Sequence, residues 1–254
     1  MPPARAHAPA LPCSLAALAA LACVVCPGCR SSPAAARPIA HPAAYPSHWW
    51  APVAAEGAPA WEILPQAAGP GEVILSKRNE LGLLSNFAPT PFVFHGRRYA
   101  SLEGFWQMMK YPEDDRDPRA AFPGLHWAYT SDQVSQLTSF EARRAGTLAE
   151  ENMKRMGITW VSFEGRRFEY KPAVPGDHYR LIVEATWAKV RQNPEVKRVL
   201  LATGDLILKP DHHQEPDAPA AWRYYEILTT IRTELQRETG TQKRPAGSAP
   251  AKAS

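Results

Sequence analysis

The stretch LGLLSNFAPTPFVFHGRRYASLEGFWQMMKY, residues 81–111, decides the fold of this chain. It begins as a polar loop, continues as a short apolar strand pair and ends as a helix. At about 100° per residue, the apolar side chains of that helix fall on one stripe and three polar ones fall beside it. The stripe consists of Leu102, Phe105, Trp106 and Met109, and the polar row consists of Glu103, Gln107 and Lys110. The stretch therefore predicts one buried helix face beside a row that carries a carboxylate, an amide and an ammonium group.

The polar row has two interpretations. With the indole of Trp106 beside it, the row forms one wall of a pocket for a planar, polar ligand. Alternatively, Glu103 and Lys110 are solvated side chains on an ordinary amphipathic helix. The helix alone favours the second interpretation, so a site has to be argued from the surrounding sequence.

The composition divides the 254 residues into four parts. Many of the 26 prolines fall before residue 71 or after residue 238, which indicates ends that lie outside the core. We predict a signal peptide of the lipoprotein type at 1–29, a Pro/Ala-rich tether at 30–70, one domain at 71–238 and a disordered tail at 239–254. The tether contains four aromatic side chains, which suggests that part of it docks on the domain: Tyr45, Trp49, Trp50 and Trp61.

The first thirty residues are typical of an export signal, because Arg5 precedes an apolar run at 11–25 that is short for a bilayer span. All four cysteines lie in this part, at positions 13, 23, 26 and 29, so the domain has no disulfide. The residues around Cys29 resemble a bacterial lipoprotein cleavage site, with Cys23 as a second candidate. We expect export to the cell envelope and a lipid anchor on the membrane surface. The alternative is that translation starts downstream and the protein stays in the cytoplasm.

The rest of the chain predicts several helices and few strands. Helices are expected near 140–156, 177–192, 195–202 and 222–237, a first strand near 72–76, and a hairpin at 158–170. The predicted fold is therefore an α+β, mainly helical single domain with a few short strands. The net charge of +4 is too small and too scattered to indicate a stable nucleic-acid partner.

The order of motifs in the first half resembles the NADAR (YbiA-like) N-glycosidase family. The residues that carry the resemblance are Ser85-Asn86-Phe87, His95-Gly96, Tyr99, Glu103, Trp106-Gln107 and Lys110, together with the run that ends in Leu200-Leu201-Ala202-Thr203-Gly204-Asp205. The resemblance implies cleavage of a ribose–nitrogen bond. The substrate would be a phosphoribosylated pyrimidine of riboflavin synthesis or an ADP-ribose attached to guanine, and no cofactor is implied.

Glu103 matches the acidic residue of the family, and the residues around it are assigned roles from their chemistry and from the placement of Lys110 two turns along the same face. Glu103 would activate water or stabilise the oxocarbenium ion. Lys110 would form a Schiff base with the opened ribose, or serve as a counter-charge. Ser85, Asn86 and Gln107 would bind the sugar or phosphate, although asparagine is also common in simple turns. Phe87 and Trp106 would stack on a base, and the alternative is that both belong to the core.

The second half departs from the family pattern. It lacks a Trp-Gly pair and an Asn-x-Leu-Gly run before the last helix, and the hairpin at 158–170 is an addition. Asp211 or His212 is a candidate acid or base there, His212 and Trp222 are candidate substrate contacts, and a solvated loop is the alternative. We do not expect a metal at Asp211, His212, His213 and Glu215, because adjacent loop residues rarely converge as three ligands. These departures leave three functions open: an N-glycosidase, a non-catalytic ADP-ribose or nucleotide-binding module of the envelope, and an envelope interaction protein.

Overall fold

Helices and strands alternate irregularly along the part of the chain that the computed structural model describes, residues 44–172 and 174–242. All of these residues lie in one compact unit that spans Ile39–Ser254. The elements are β1 Glu72–Ile74, β2 Phe92–Phe94, β3 Arg97–Tyr99, α1 Leu102–Met108, α2 Ser131–Ser135, α3 Ser139–Met156, β4 Trp160–Phe163, β5 Arg166–Glu169, α4 Asp177–Gln192, α5 Pro194–Ala202, β6 Ile207–Lys209 and α6 Tyr224–Gln242. The predicted α+β, mainly helical class is confirmed.

The strands form three separate two-stranded ribbons. β2 pairs with β3 and β4 pairs with β5, both antiparallel, whereas β1 pairs with β6 in parallel. Each antiparallel hairpin turns on two residues with positive φ, His95-Gly96 and Glu164-Gly165, which suits the right-handed twist of the strands. In the parallel ribbon, Glu72 lies opposite Ile207, so the segments that follow β1 and β6 leave from the same end.

Helix α1 lies at the centre of the unit, packed against α2, α3 and α4. Ser101 caps its first turn, since the hydroxyl accepts a hydrogen bond from the Gly104 N–H at 2.9 Å. The predicted apolar stripe is buried, and the polar row beside it is buried as well: Glu103, Gln107 and Lys110 are 6%, 4% and 0% exposed. The interpretation of that row as a solvated face is therefore wrong.

The structured unit begins before the predicted boundary at Gly71. Trp49 and Trp50 are buried; the Trp49 indole donates a hydrogen bond to Glu80 at 2.6 Å, and the Trp50 indole donates one to the Glu72 carbonyl at 2.9 Å. Residues 44–70 of the predicted tether thus pack on the domain, because these indoles find partners that are distant in sequence. At the other end, α6 continues to Gln242 instead of stopping near residue 237.

The predicted signal peptide at 1–29, including Cys29, lies outside the described residues. None of the helices described between Ala44 and Gln242 has both the length and the apolar character needed to cross a bilayer.

Candidate active site

A cleft of about 1230 Å³ opens on one side of α1. We call the side formed by residues 85–87, α1 and the facing part of α3 the proximal wall, and the side formed by residues 212–224 the distal wall. Eight of the predicted site residues line the cleft: Ser85, Asn86, Phe87, Glu103, Trp106, Gln107, His212 and Trp222. The two predicted catalytic residues Lys110 and Asp211 do not line it, although each contacts residues that do.

The loop 85–87 is held by its three consecutive carbonyl groups. The bonds are Lys189 Nζ to the Ser85 carbonyl at 2.6 Å, the Glu103 N–H to the Asn86 carbonyl at 2.9 Å and the Ser139 N–H to the Phe87 carbonyl at 3.0 Å. The side-chain amide of Asn86 has no hydrogen-bond partner among the described residues. This amide lines the cleft with its backbone fixed, so it is oriented for a ligand.

Lys189 is the buried support of that loop. It lies on α4, is 1% exposed, and no described carboxylate lies within ion-pair distance of its ammonium group. Burial lowers the pKa of Lys189 to about 7. This role was not predictable, because Lys189 falls on the apolar face of α4 and its partner in the loop is 104 residues away.

Glu103 is the buried carboxylate of the proximal wall. Its Oε1 accepts a hydrogen bond from Gln107 Nε2 at 2.7 Å, one helical turn further along α1. Burial raises the pKa of Glu103, against the opposing effects of the Gln107 hydrogen bond and the positive charge of Lys110. A carboxyl group with a raised pKa on the wall of a cleft is suited to acid–base work near neutral pH.

Lys110 lies two residues beyond the end of α1 and is fully buried. Its Nζ donates a hydrogen bond to Glu150 Oε1 at 2.5 Å and lies 4.7 Å from the centre of the Tyr170 ring. Burial lowers the pKa of Lys110 to about 8, although the Glu150 carboxylate opposes this effect. Lys110 and Glu103 interact through their charges. The ammonium group of Lys110 is in direct contact with Glu150 and with the ring of Tyr170.

A chain of hydrogen bonds joins three elements at the base of the cleft. The Trp106 indole donates to the Tyr170 hydroxyl at 3.3 Å, and this hydroxyl donates to Glu150 Oε1 at 3.3 Å. Burial raises the pKa of Glu150, but the neighbouring Lys110 outweighs it and holds the pKa below its ordinary value. The predicted hairpin at 158–170 therefore contributes to the site, since Tyr170 follows β5 directly and lines the cleft.

Helix α3 supplies two charged residues that the sequence analysis missed, Arg143 and Glu150. They lie seven residues apart on one helix face, and Arg143 Nη1 is 3.9 Å from Glu150 Oε1. The spacing was visible in the sequence. Only the packing of α3 on α1 distinguishes these two residues from the other charged residues of the helix.

Three aromatic rings surround the mouth of the cleft. The Phe140 ring centre is 5.2 Å from that of Phe87 and 6.1 Å from that of Trp61. Lys77 Nζ lies 5.1 Å from the centre of the Phe87 ring. Phe87 thus belongs to an aromatic surface at the mouth, and not to the core as the alternative interpretation held.

The distal wall brings His212 and Trp222 to the cleft. The His212 ring is parallel to that of Tyr224, 6.1 Å away, and the Trp222 ring lies 5.8 Å from that of Tyr170 across the cleft. Several buried polar atoms of this wall have no hydrogen-bond partner in the described structure, among them Gln214 Oε1, Trp222 Nε1 and Arg223 Nε.

Asp211 supports the distal wall from behind. It is 1% exposed and forms an ion pair with Lys77, and His212 Nδ1 lies 3.1 Å from its Oδ1. Burial raises the pKa of Asp211, but His212 and Lys77 outweigh this and hold it below its ordinary value. A buried carboxylate in this charge state orients its two partners and does not donate a proton to a ligand. The predicted role of acid therefore does not fit the position of Asp211.

Within the described ranges, no group of three or more His, Cys, Asp and Glu side chains converges in a way that would hold a metal ion.

No protein-family model matches the sequence, and no curated protein matches it. Among solved structures, the chain is similar to the NMR structure of the E. coli protein YbiA, with 16% sequence identity and a TM-score of 0.43. The similarity covers 74% of this chain and 96% of that chain. The resemblance predicted from the sequence motifs is to the family of that protein, and the proposals below rest on the residues of the cleft.

Proposed function

We propose that this protein is an N-glycosidase that hydrolyses the ribose–nitrogen bond of a ribosylated nucleobase. The observation that carries the proposal is the Glu103 carboxylate, buried on the wall of a cleft and bonded by Gln107 at 2.7 Å. Positive charge develops on the sugar when such a bond breaks, and a fixed carboxylate in a poorly solvated site stabilises that charge strongly.

The step balances with water alone. The bond between C1′ and the base nitrogen breaks, and its electron pair leaves with the base. Water forms the new bond to C1′ and gives a proton to Glu103, and this proton is then passed through solvent to the base nitrogen, which restores the Glu103 carboxylate. The products are the free base and a sugar with a hydroxyl group at C1′.

The other lining residues supply recognition. The free amide of Asn86 suits ribose hydroxyls or a phosphate oxygen, and the Trp222 ring, which lies 5.8 Å from that of Tyr170 and is tilted by 48° to it, suits a planar base. The volume of about 1230 Å³ exceeds the roughly 300–1,000 Å³ of ordinary small-molecule pockets. The cleft therefore accommodates either of the two substrate classes that the sequence motifs imply.

The test is to incubate the purified full-length chain with ADP-ribosylated guanosine and, separately, with the phosphoribosyl pyrimidine, and to follow base release by chromatography. We expect release from one of the two substrates. Glu103→Gln is expected to lower the rate by about 100- to 10,000-fold while leaving ligand binding measurable by calorimetry. Glu151→Gln is the matched control, because Glu151 is an exposed carboxylate on α3.

Two results would overturn the proposal. One is that neither base is released by the wild-type chain, and the other is that Glu103→Gln retains the wild-type rate.

A binding module for ADP-ribose or a nucleotide is the second candidate. It is favoured by one observation, the unpaired polar atoms of the distal wall, which lies in the segment where the family's Trp-Gly and Asn-x-Leu-Gly motifs are absent. Calorimetry with ADP-ribose separates the two candidates. Binding without base release from either substrate supports the module, and base release rules it out.

We also propose that the protein is exported and anchored to the membrane surface by a lipid at Cys29. The support is the sequence pattern at 1–29 alone. Labelling of cells with a fatty-acid probe is expected to modify the wild-type chain and not a Cys29→Ser variant; Cys23→Ser is the control. An unmodified, cytoplasmic wild-type chain would contradict the proposal.

A further inference from the structure

Helix α3 passes α1 at Gly146, in the middle of the proximal wall. A Cβ atom built at this position would lie 1.7 Å from Gln107 Oε1, 2.2 Å from its Cδ and 2.9 Å from its Cγ. Non-bonded heavy atoms do not approach so closely. The amide of Gln107 therefore occupies the space that the side chain of any other residue at position 146 would need.

Gln107 can leave that space only by rotating its side chain. It is 4% exposed, so it is enclosed by its neighbours, and its Nε2 is the donor that bonds Glu103 Oε1 at 2.7 Å. The two shortest contacts are to the end of a flexible side chain and the third is to its Cγ, so relief of the clash requires rotation about the Gln107 side-chain bonds nearer the backbone. The same rotation removes the hydrogen bond to Glu103.

We propose that Gly146 is a positioning residue for the active-site carboxylate: the missing side chain at 146 seats the Gln107 amide against Glu103 and fixes the orientation of that carboxylate toward the cleft. The inference rests on the proposed function in so far as Glu103 is the working group. It goes beyond that function in assigning a role to a residue that touches no substrate.

The charge of Glu103 reports this seating directly. A hydrogen bond donated to a carboxylate favours its charged form, so loss of the Gln107 bond raises the pKa of Glu103. The other charged groups that act on Glu103 are Lys110 beyond α1, Arg143 on α3 and Lys77 in the loop after β1. A substitution at position 146 leaves all three in the chain.

The experiment compares the wild-type chain with Gly146→Ala, Gln107→Ala and the double variant. The Glu103 carboxyl is titrated by ¹³C NMR of protein labelled at glutamate, and its signal is assigned by its absence in Glu103→Gln. We expect Gly146→Ala and Gln107→Ala to raise the pKa of Glu103 by similar amounts, and the double variant to match Gln107→Ala. Thr147→Ala, at the exposed neighbouring position of α3, is expected to leave the titration unchanged.

The same variants are then assayed for base release. Gly146→Ala is expected to lower kcat about 10- to 100-fold, to change KM less, and to move the acidic limb of the pH profile upward with the pKa of Glu103. The melting temperature is expected to fall, because the buried Gln107 side chain is displaced and its hydrogen bond to Glu103 is lost, and the helix preference of alanine over glycine offsets only part of this loss. A fall in kcat with an unmoved pH profile would indicate a merely structural effect and would overturn the inference.

The titration separates the two proposals. If the chain releases no base but Gly146→Ala still raises the pKa of Glu103, the proposed function fails and the positioning role stands. If the titration of Glu103 is the same in Gly146→Ala and wild type, the positioning role is wrong whatever the activity. If Gly146→Ala does not fold, the double variant is measured instead, because the shorter side chain at position 107 leaves room for the alanine at position 146. A double variant whose Glu103 pKa differs from that of Gln107→Ala would contradict the inference.

Discussion

The proximal and distal walls of the cleft differ in how completely their polar groups are paired. On the proximal wall, the carbonyls of residues 85–87, Glu103 Oε1 and the Trp106 indole have partners, whereas Gln107 Oε1 and the Asn86 side-chain amide have none in the described structure. On the distal wall, Gln214 Oε1, Trp222 Nε1 and Arg223 Nε are buried without a partner in the described structure. The bonded backbone and charged groups of the proximal wall are held in one geometry, whereas the unbonded groups of the distal wall are free to adapt to a ligand. Under the proposed function, we therefore expect the proximal wall to carry the chemistry and the distal wall to select the ligand.

The largest expected effect is on Lys110, the amine behind the proximal wall. Lys110→Met removes the charge next to Glu150 and Glu103, and we expect the rate of base release to fall at least ~100-fold. The exposed Lys154→Met on α3 is the control. Full activity in Lys110→Met would remove this residue from the site.

Trapping with borohydride distinguishes the two roles of Lys110 that the sequence left open. A Schiff base would give a covalent adduct at Lys110, and its rate of formation would rise with pH through the pKa of about 8 because only the neutral amine attacks. A counter-charge would give no adduct, and activity would then fall as the ammonium group loses its proton above that pH.

The next effect concerns stability and the support of the loop 85–87. The pKa of Lys189 is about 7 in the folded protein, below the ordinary value of 10.5. Between these two pH values the unfolded chain binds more protons at Lys189 than the folded chain does. The free energy of unfolding of the wild-type chain therefore rises with pH across that window. Lys189→Met removes a buried charge without an anionic partner. Because the buried Ser85 carbonyl also loses its donor, we expect Lys189→Met to stabilise the fold by roughly 2 to 4 kcal/mol below pH 7, with the gain shrinking toward pH 10.

Urea unfolding of the two chains at pH 6 and pH 9 measures the difference. If Lys189→Met raises the free energy of unfolding by the same amount at both pH values, Lys189 does not titrate in this window. Ligand affinity in Lys189→Met is expected to fall, since the Ser85 carbonyl loses its donor.

The distal wall is probed by Trp222→Ala. If this wall selects the ligand by stacking, we expect affinity to fall by ~1–3 kcal/mol, or about 10- to 100-fold in KM, with a smaller change in kcat. Trp187→Ala on α4 is the matched control, because its ring is covered by Arg191 outside the cleft. A loss confined to kcat would place chemistry on the distal wall and reverse the assignment.

The smallest expected effect is the stability lost when the indole N–H of one tryptophan is removed from each wall. Trp106→Phe removes a donor that bonds Tyr170 and is expected to cost about 1 kcal/mol of stability, whereas Trp222→Phe removes a donor with no partner in the described residues and is expected to cost about 0. Thermal unfolding of both variants measures the pair. Equal losses would mean that the two walls are equally well bonded.

The proximal wall was predictable from the sequence because its geometry is local. Glu103 and Gln107 are one helical turn apart, so the 3.6-residue period alone brings the amide to the carboxylate. The same period identified the stripe that buries α1. Lys110 was predicted to open into the same cavity as Glu103, but α1 ends before it, its ammonium group bonds Glu150 on α3, and it does not line the cleft.

The residues that were missed depend on packing between distant parts of the chain. Glu150 is 40 residues from Lys110, and Tyr170 is 64 residues from Trp106. Neither pairing leaves a periodic pattern in the sequence. Trp49 was one of the four tether aromatics expected to dock on the domain, but its partner Glu80, 31 residues away, leaves no local pattern either.

The distal wall is one uninterrupted segment with both of its ends secured. It follows β6, which is paired to β1, and its first residue forms a β-bridge with Glu62; at its far end it enters α6. The residues in between can be exchanged together, as a cassette, without cutting any β-strand or α-helix of the scaffold, because the only regular element inside the segment is the 3-10 helix Ala220–Trp222. A library restricted to positions 213–222 is thus a compact way to redirect ligand choice while keeping the proximal wall intact.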